Sequence, residues 1–109
     1  MKIKKDVFKI PKKIKVGGMW WTIERVDEKN PEKNENNMGR TLFRQKKILI
    51  QKDLHHQQLE NTFLHELLHV CMYESRLTWD LDDKIEESVV SRLGNVLYQV
   101  LHDNKIINK

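Results

Sequence analysis

The sequence has one cysteine and no long apolar run, and both features limit the class of protein. Cys71 has no partner for an intramolecular disulfide, which fits a reducing compartment. The mean hydropathy is −0.69, and no segment approaches the roughly 18 consecutive apolar residues of a membrane span. The basic first residues lack the apolar core of a signal peptide. We therefore expect a cytoplasmic protein with no membrane partner.

The chain is short and rich in charge. Its 109 residues are enough for one domain, and 33% of them are charged. We predict a single domain over residues 1–109, in which residues 1–10 and 104–109 form flexible ends. The core of such a domain is small, so a bound metal would add to its stability.

The net charge of +4 conceals two halves of opposite sign. Residues 1–52 carry a net charge of +9, and residues 53–109 carry −5. A basic half permits contact with nucleic acid. The favoured interpretation is that solvated lysines and arginines protect strand edges from association.

The first half has the pattern of short β-strands. Residues 12–16 and 19–26 flank Gly17-Gly18, which predicts a tight hairpin because the favoured turns need positive φ. Trp20 and Trp21 then point to opposite faces, so one of them is either a second core contact or an exposed binding surface. Residues 27–39 are polar and predict a loop. TLF and ILI, within residues 40–51, predict two further strands or one bent strand.

From about Leu54 the apolar period becomes helical. One helix carries a broad apolar face and ends before residues 75–83, and a second runs from about Lys84 to His102. Cys71 falls on the apolar side of the first helix and is predicted to be a buried, unreactive thiol. Three to four mostly antiparallel strands followed by two packed helices define an α+β fold.

The stretch TFLHELLHV, residues 62–70, places polar groups within an apolar helix. His65 and His69 are four residues apart, so both imidazoles project from one face and can reach the same ion. Glu66 can reach a water molecule beside that ion as a general base. This is the HExxH arrangement, and HELLHVCM leaves the helix little polar surface outside the motif. His55 and His56, by contrast, are predicted to be solvated.

A catalytic zinc ion usually takes a third protein ligand. Glu87 is favoured because it shares a helix face with Val90, Ser91 and Gly94, where glycine permits close helix approach. Glu86 is the alternative, and the one not used would interact with the helix dipole. The other downstream candidates are Asp80, Asp82, Asp83 and His102.

The order of these motifs resembles a known group of proteins. HELLH, separated from Glu87 in EESVVSRLGNVLYQVL by 17 residues, is similar to the gluzincin pattern. Short strands followed by T-x-x-HExxH resemble small phage-encoded metallopeptidase-like proteins, distantly like the ImmA/IrrE family of zinc endopeptidases. The resemblance spans about residues 10–103 and implies a minimal zincin-like domain, located in the host cytoplasm if the chain is phage-encoded.

The resemblance implies a zinc-dependent metallopeptidase with one Zn²⁺ per chain. His65, His69 and Glu87 would be the metal ligands and Glu66 the catalytic base, acting on a peptide or protein substrate. Ser91 stands where gluzincins often place a residue that braces a ligand histidine. The alternative is a non-catalytic zincin-fold protein that binds nucleic acid or a host protein through its basic half.

Two parts of the mechanism stay open in the sequence. Candidates for the oxyanion donor are Tyr73, Tyr98 and His102. Zincins bind substrate along a sheet edge, and ILI at 48–50 is our prediction for that edge; an internal strand is the alternative.

Overall fold

The computed structural model describes residues 9–104 and Ile106. These residues form a four-stranded sheet followed by two helices, as predicted for an α+β fold. The elements are β1 (Lys13–Val16), β2 (Met19–Val26), β3 (Gly39–Leu42), β4 (Lys47–Gln51), α1 (His56–Glu74), a short 3₁₀ helix (Leu77–Asp80) and α2 (Asp83–Asp103).

The predicted hairpin is present, and residues 40–51 form two strands, not one bent strand. β1 pairs antiparallel with β2 through a turn in which Gly17 and Gly18 have φ of 56° and 85°, the backbone conformation that this hairpin turn requires. β3 pairs antiparallel with β4, and Lys46 adopts a φ of 53° where the second turn re-enters the sheet.

The strand order is β1-β2-β4-β3, so β4 is a central strand. β4 runs parallel to β2, with Ile23 opposite Ile48. The chain after β2 passes beyond the position of β4 to form β3, and the turn between β3 and β4 then reverses its direction. The prediction that ILI at 48–50 forms the substrate edge is therefore wrong. Ile48, Leu49 and Ile50 are all fully buried, as expected for an uninterrupted apolar run covered on both faces. The edge beside the helices is β3.

The core lies between the sheet and α1. Trp21, Ile23, Ile48 and Ile50 from the sheet meet Phe63 and Val70 from the helix. α2 packs on the other side of α1, where the Tyr98 hydroxyl donates to the buried Glu60 carboxylate over 2.5 Å. α1 is thus fixed on both sides, which holds its polar residues at the junction of β3, α1 and α2.

Helix ends account for the break between α1 and α2. Arg76 adopts a φ of 72° just after α1, a left-handed conformation that ends helices. The Asp82 carboxylate caps α2 by accepting a hydrogen bond from the Lys84 backbone N–H over 2.7 Å. Among the residues described, neither helix is long and apolar enough to cross a membrane.

The predicted flexible ends fall mostly outside the described residues. Of residues 1–10 only Lys9 and Ile10 are described, and Ile10 packs against the core cluster. At the other end Asn104 caps α2, and the Ile106 backbone N–H donates to the Leu101 carbonyl over 3.0 Å.

Candidate metal centre

α1 and α2 bring three predicted ligands together. His65 and His69 project from one face of α1, and their ring centroids lie 5.0 Å apart. Across the helix junction, Glu87 places Oε2 3.2 Å from His65 Nε2 and Oε1 3.0 Å from His69 Nε2. One ligand atom from each residue falls within 4.8 Å of the others. The predicted set of His65, His69 and Glu87 therefore converges on one point.

Glu86 and Glu87 contact different nitrogens of the same imidazole. Glu86 Oε2 lies 2.7 Å from His69 Nδ1, and the Glu86 side chain is buried, whereas 56% of the Glu87 side chain is exposed. Adjacent helix residues point about 100° apart, so Glu86 reaches behind the ring while Glu87 reaches its front. Glu87 therefore has the position of a ligand, and Glu86 that of the carboxylate that orients a ligand histidine.

The donor set fits a divalent cation. A neutral imidazole carries one N–H, so His69 can donate to Glu86 through Nδ1 and then presents only a lone pair to Glu87. A cation between Nε2 and the Glu87 carboxylate satisfies both acceptors. Ligand atoms around a tetrahedral zinc ion lie about 3.3 Å apart, given bonds of about 2.0–2.1 Å. Here each imidazole nitrogen lies 3.0–3.2 Å from a different Glu87 oxygen, and one ligand atom from each residue lies within 4.8 Å of the others.

Ser91 does not brace a histidine. Its hydroxyl donates to Glu87 Oε2 over 3.0 Å, one helical turn away. The side chain is too short to span the gap between the helices, so it orients the carboxylate on its own helix. The resemblance assigns residue 91 to bracing a ligand histidine, but in the structure Glu86 contacts His69 Nδ1 instead.

Glu66 is buried beside the three converging side chains. The Thr41 hydroxyl of β3 donates to Glu66 Oε1 over 2.7 Å. Burial raises the pKa of the Glu66 carboxyl, and the Thr41 hydrogen bond and the two imidazoles act against that rise. The edge strand thus holds the buried carboxylate next to the donor set.

Gly39 permits β3 to approach α1 at this point. A Cβ on Gly39 would lie 2.7 Å from Thr62 Cγ2, 3.1 Å from the Leu49 carbonyl oxygen and 3.3 Å from Glu66 Cγ. We expect Gly39→Ala to destabilise the fold by about 1–3 kcal/mol, measured by urea unfolding, and to displace Glu66.

Gly94→Ala is the matched control for Gly39→Ala. Its Cβ would meet only Leu68 Cδ1, at 3.3 Å, and alanine favours the helix by about 1 kcal/mol. The variant should be at least as stable as the parent. Equal stability of the Gly39 and Gly94 variants would show that the close approach of β3 does not constrain the site.

The donor set opens into a cleft of about 520 Å³. Its wall includes Gly39, Arg40 and Thr41 of β3 on one side, and Thr78 and Asp83 on the other. A second cavity of about 380 Å³ shares His65 and Glu66 with the first and is lined by the carboxamides of Asn36, Asn37, Gln58, Asn61 and Asn95. Gly39 of β3 also lines both cavities.

The structure places the predicted oxyanion donors away from this cleft. Tyr98 donates to Glu60, Tyr73 packs against Phe43 and Trp79, and His102 contacts Asp103. None of the three lines the cleft. Thr78 does, and its Oγ1 is buried with no hydrogen-bond partner among the described residues. No sequence pattern singles out Thr41 or Thr78, because both reach the site only through tertiary packing.

The remaining candidates lie outside the donor set. His55 is the N-cap of α1, and both His55 and His56 are exposed, as predicted. Asp82 is a helix cap, and Asp80 is exposed. The prediction of a buried thiol is wrong: Cys71 is exposed and lines an apolar groove between α1 and α2.

The fold and site define an α+β domain with a candidate His₂Glu metal centre. No protein-family model, curated protein or solved structure matches the chain. The resemblance to phage-encoded metallopeptidases therefore stays a prediction, and any function has to be argued from the site itself.

Proposed function

We propose that the protein is a zinc-dependent peptidase that hydrolyses peptide bonds. The observation that carries the proposal is the convergence of His65, His69 and Glu87 with a buried carboxylate, Glu66, adjoining them. A purely structural metal site needs ligands but no neighbouring base. Two nitrogens and one carboxylate oxygen are a donor set suited to zinc.

Each residue then has a chemical role. A zinc ion held by His65, His69 and Glu87 would polarise the scissile carbonyl and acidify a water molecule. Glu66 accepts a proton from that water as its oxygen bonds to the carbonyl carbon, and returns the proton to the amine as the C–N bond breaks. Thr41 holds the Glu66 carboxylate in place over 2.7 Å, and Glu86 fixes the ring of His69 over 2.7 Å.

The substrate would lie along β3. Within residues 9–104, β3 pairs with β4 and with no other strand, and its residues 39–41 line the cleft. An extended peptide can add to such an edge through backbone hydrogen bonds, which places a scissile carbonyl near Glu66. The cleft opens to solvent at Glu87, whose side chain is 56% exposed, so we expect the substrate to be a flexible segment of another protein.

Metal analysis tests the proposal directly. Protein purified without a polyhistidine tag should contain about one zinc per chain, by elemental analysis. Zinc at a hundred times its Kd should stabilise the fold by about 2.7 kcal/mol, which raises the Tm by about 10 °C or more for a domain of this size. Chelation should abolish hydrolysis of fluorescently labelled casein, and one equivalent of zinc should restore it.

The same measurements can refute the proposal. Casein hydrolysis that persists in metal-free protein would exclude zinc catalysis. A Tm of the metal-free protein that does not respond to added zinc would exclude the metal centre, because binding to the folded state alone must stabilise it.

A further inference from the structure

The sheet face opposite α1 carries an exposed tryptophan. Trp20 and Trp21 are neighbours on β2, but Trp21 is 0% exposed in the core while Trp20 is 54% exposed on the outer face. An exposed indole is a large apolar surface that natural proteins place at contact sites.

Two lysine ammonium groups lie over the Trp20 ring. Lys13 Nζ lies 4.9 Å from the ring centroid and Lys15 Nζ 5.6 Å. The hairpin register sets this arrangement, because Lys15 is opposite Trp20 and Lys13 is opposite Thr22. Cation–π contacts hold ammonium groups beside the ring without neutralising them. Within residues 9–104 neither lysine forms an ion pair with a carboxylate.

The positive charge on this face favours a negatively charged polymer as its ligand. On the same face Lys47 pairs with Glu24 over 3.2 Å, and residues 1–52 as a whole carry +9 against −5 for the rest of the chain. The two lysines without an ion-pair partner, Lys13 and Lys15, attract phosphates, and an exposed aromatic ring offers a platform on which a base can stack. Duplex bases are already stacked on each other, so a single strand fits this surface better.

We propose that the outer face of the β1–β2 hairpin, formed by Lys13, Lys15 and Trp20, binds single-stranded nucleic acid. Phosphates draw the two ammonium groups away from the ring over which they lie, and a base then stacks on Trp20. The surface lies on the side of the sheet away from Glu66 and its metal ligands, so the inference does not depend on the peptidase proposal.

Fluorescence anisotropy of the whole chain with a labelled 20-nucleotide oligo(dT) tests this inference. We expect the Kd to rise roughly tenfold between 50 and 200 mM salt, as for release of two or three counterions from a single strand. Trp20→Ala should weaken binding by about 5–100-fold, and Trp20→Phe should retain part of it, because stacking tolerates another aromatic ring. Lys13→Gln/Lys15→Gln should reduce the slope of log K against log salt by about 1.4.

Trp79→Ala is the matched control, since Trp79 is also exposed and has the Arg76 guanidinium carbon 5.5 Å from its ring. It should bind the oligonucleotide as the parent does, and so should Glu66→Gln. Circular dichroism should show that Trp20→Ala leaves the Tm unchanged. Equal losses for the Trp20 and Trp79 variants, or no effect of the hairpin variants, would overturn the inference. The inference would also be overturned if the hairpin variants changed self-association, measured by sedimentation, and did not change oligonucleotide binding.

Discussion

We expect Glu66→Gln to abolish the proposed peptide hydrolysis while leaving zinc binding unchanged. Glutamine has the shape of glutamate and can still hydrogen-bond Thr41, which donates to Glu66 Oε1 over 2.7 Å, but it cannot accept a proton from water. General acid–base catalysis contributes about 10²–10⁴-fold, so kcat should fall by at least that factor. Casein hydrolysis at saturating substrate and elemental analysis on the same sample measure both properties.

Glu60→Gln is the control for the loss of a buried carboxylate from α1. Glu60 is 1% exposed and accepts from Tyr98, on the side of the helix away from the ligands. Its replacement should alter stability but leave hydrolysis intact. A Glu66→Gln variant that cleaves casein at the parental rate would contradict the assigned base. If the protein binds zinc but neither form cleaves peptides, the zincin-like binding protein becomes the better interpretation.

The sequence predicts the local parts of this site better than its surroundings. His65, Glu66 and His69 belong to one helix, so their spacing alone places them on one surface. The Gly17-Gly18 hairpin is equally local, because positive φ at both positions determines the turn.

Strand order depends on long-range pairing, and the sequence misled us there. The ILI run was predicted as an edge, although three consecutive buried residues indicate a strand covered on both faces. The true edge, β3, contains only GRTL, which has too little apolar character to mark it. Thr41 therefore reaches Glu66 because of the strand crossover, which no sequence pattern near Thr41 predicts.

The choice between Glu86 and Glu87 also depends on tertiary structure. A rotation of α2 by about 100° about its axis would exchange the two carboxylates. Packing of α2 on α1, with Val90 and Gly94 against the first helix, determines the rotation that is observed. Sequence reasoning identified both residues but treated them as alternatives, whereas both contact His69, one at each ring nitrogen.

That division of roles predicts unequal losses of zinc affinity. Glu86→Gln should weaken zinc binding by about 10–100-fold, the usual cost of removing a partner that orients a ligand histidine. Glu87→Ala removes a ligand atom itself, so its loss should exceed that range and leave the purified protein nearly free of zinc. Competition with a chromophoric chelator gives both affinities.

His102→Ala is the control for these measurements, because it removes an imidazole that contacts Asp103 on α2 and not the donor set. It should bind zinc as the parent does. If Glu86→Gln lost zinc and Glu87→Ala kept it, Glu86 would be the third ligand. In that case α2 would have to rotate about its axis when the metal binds. Zinc affinity unaffected by either change would mean that no metal sits between the two helices, and the enzymatic interpretation would lose its basis.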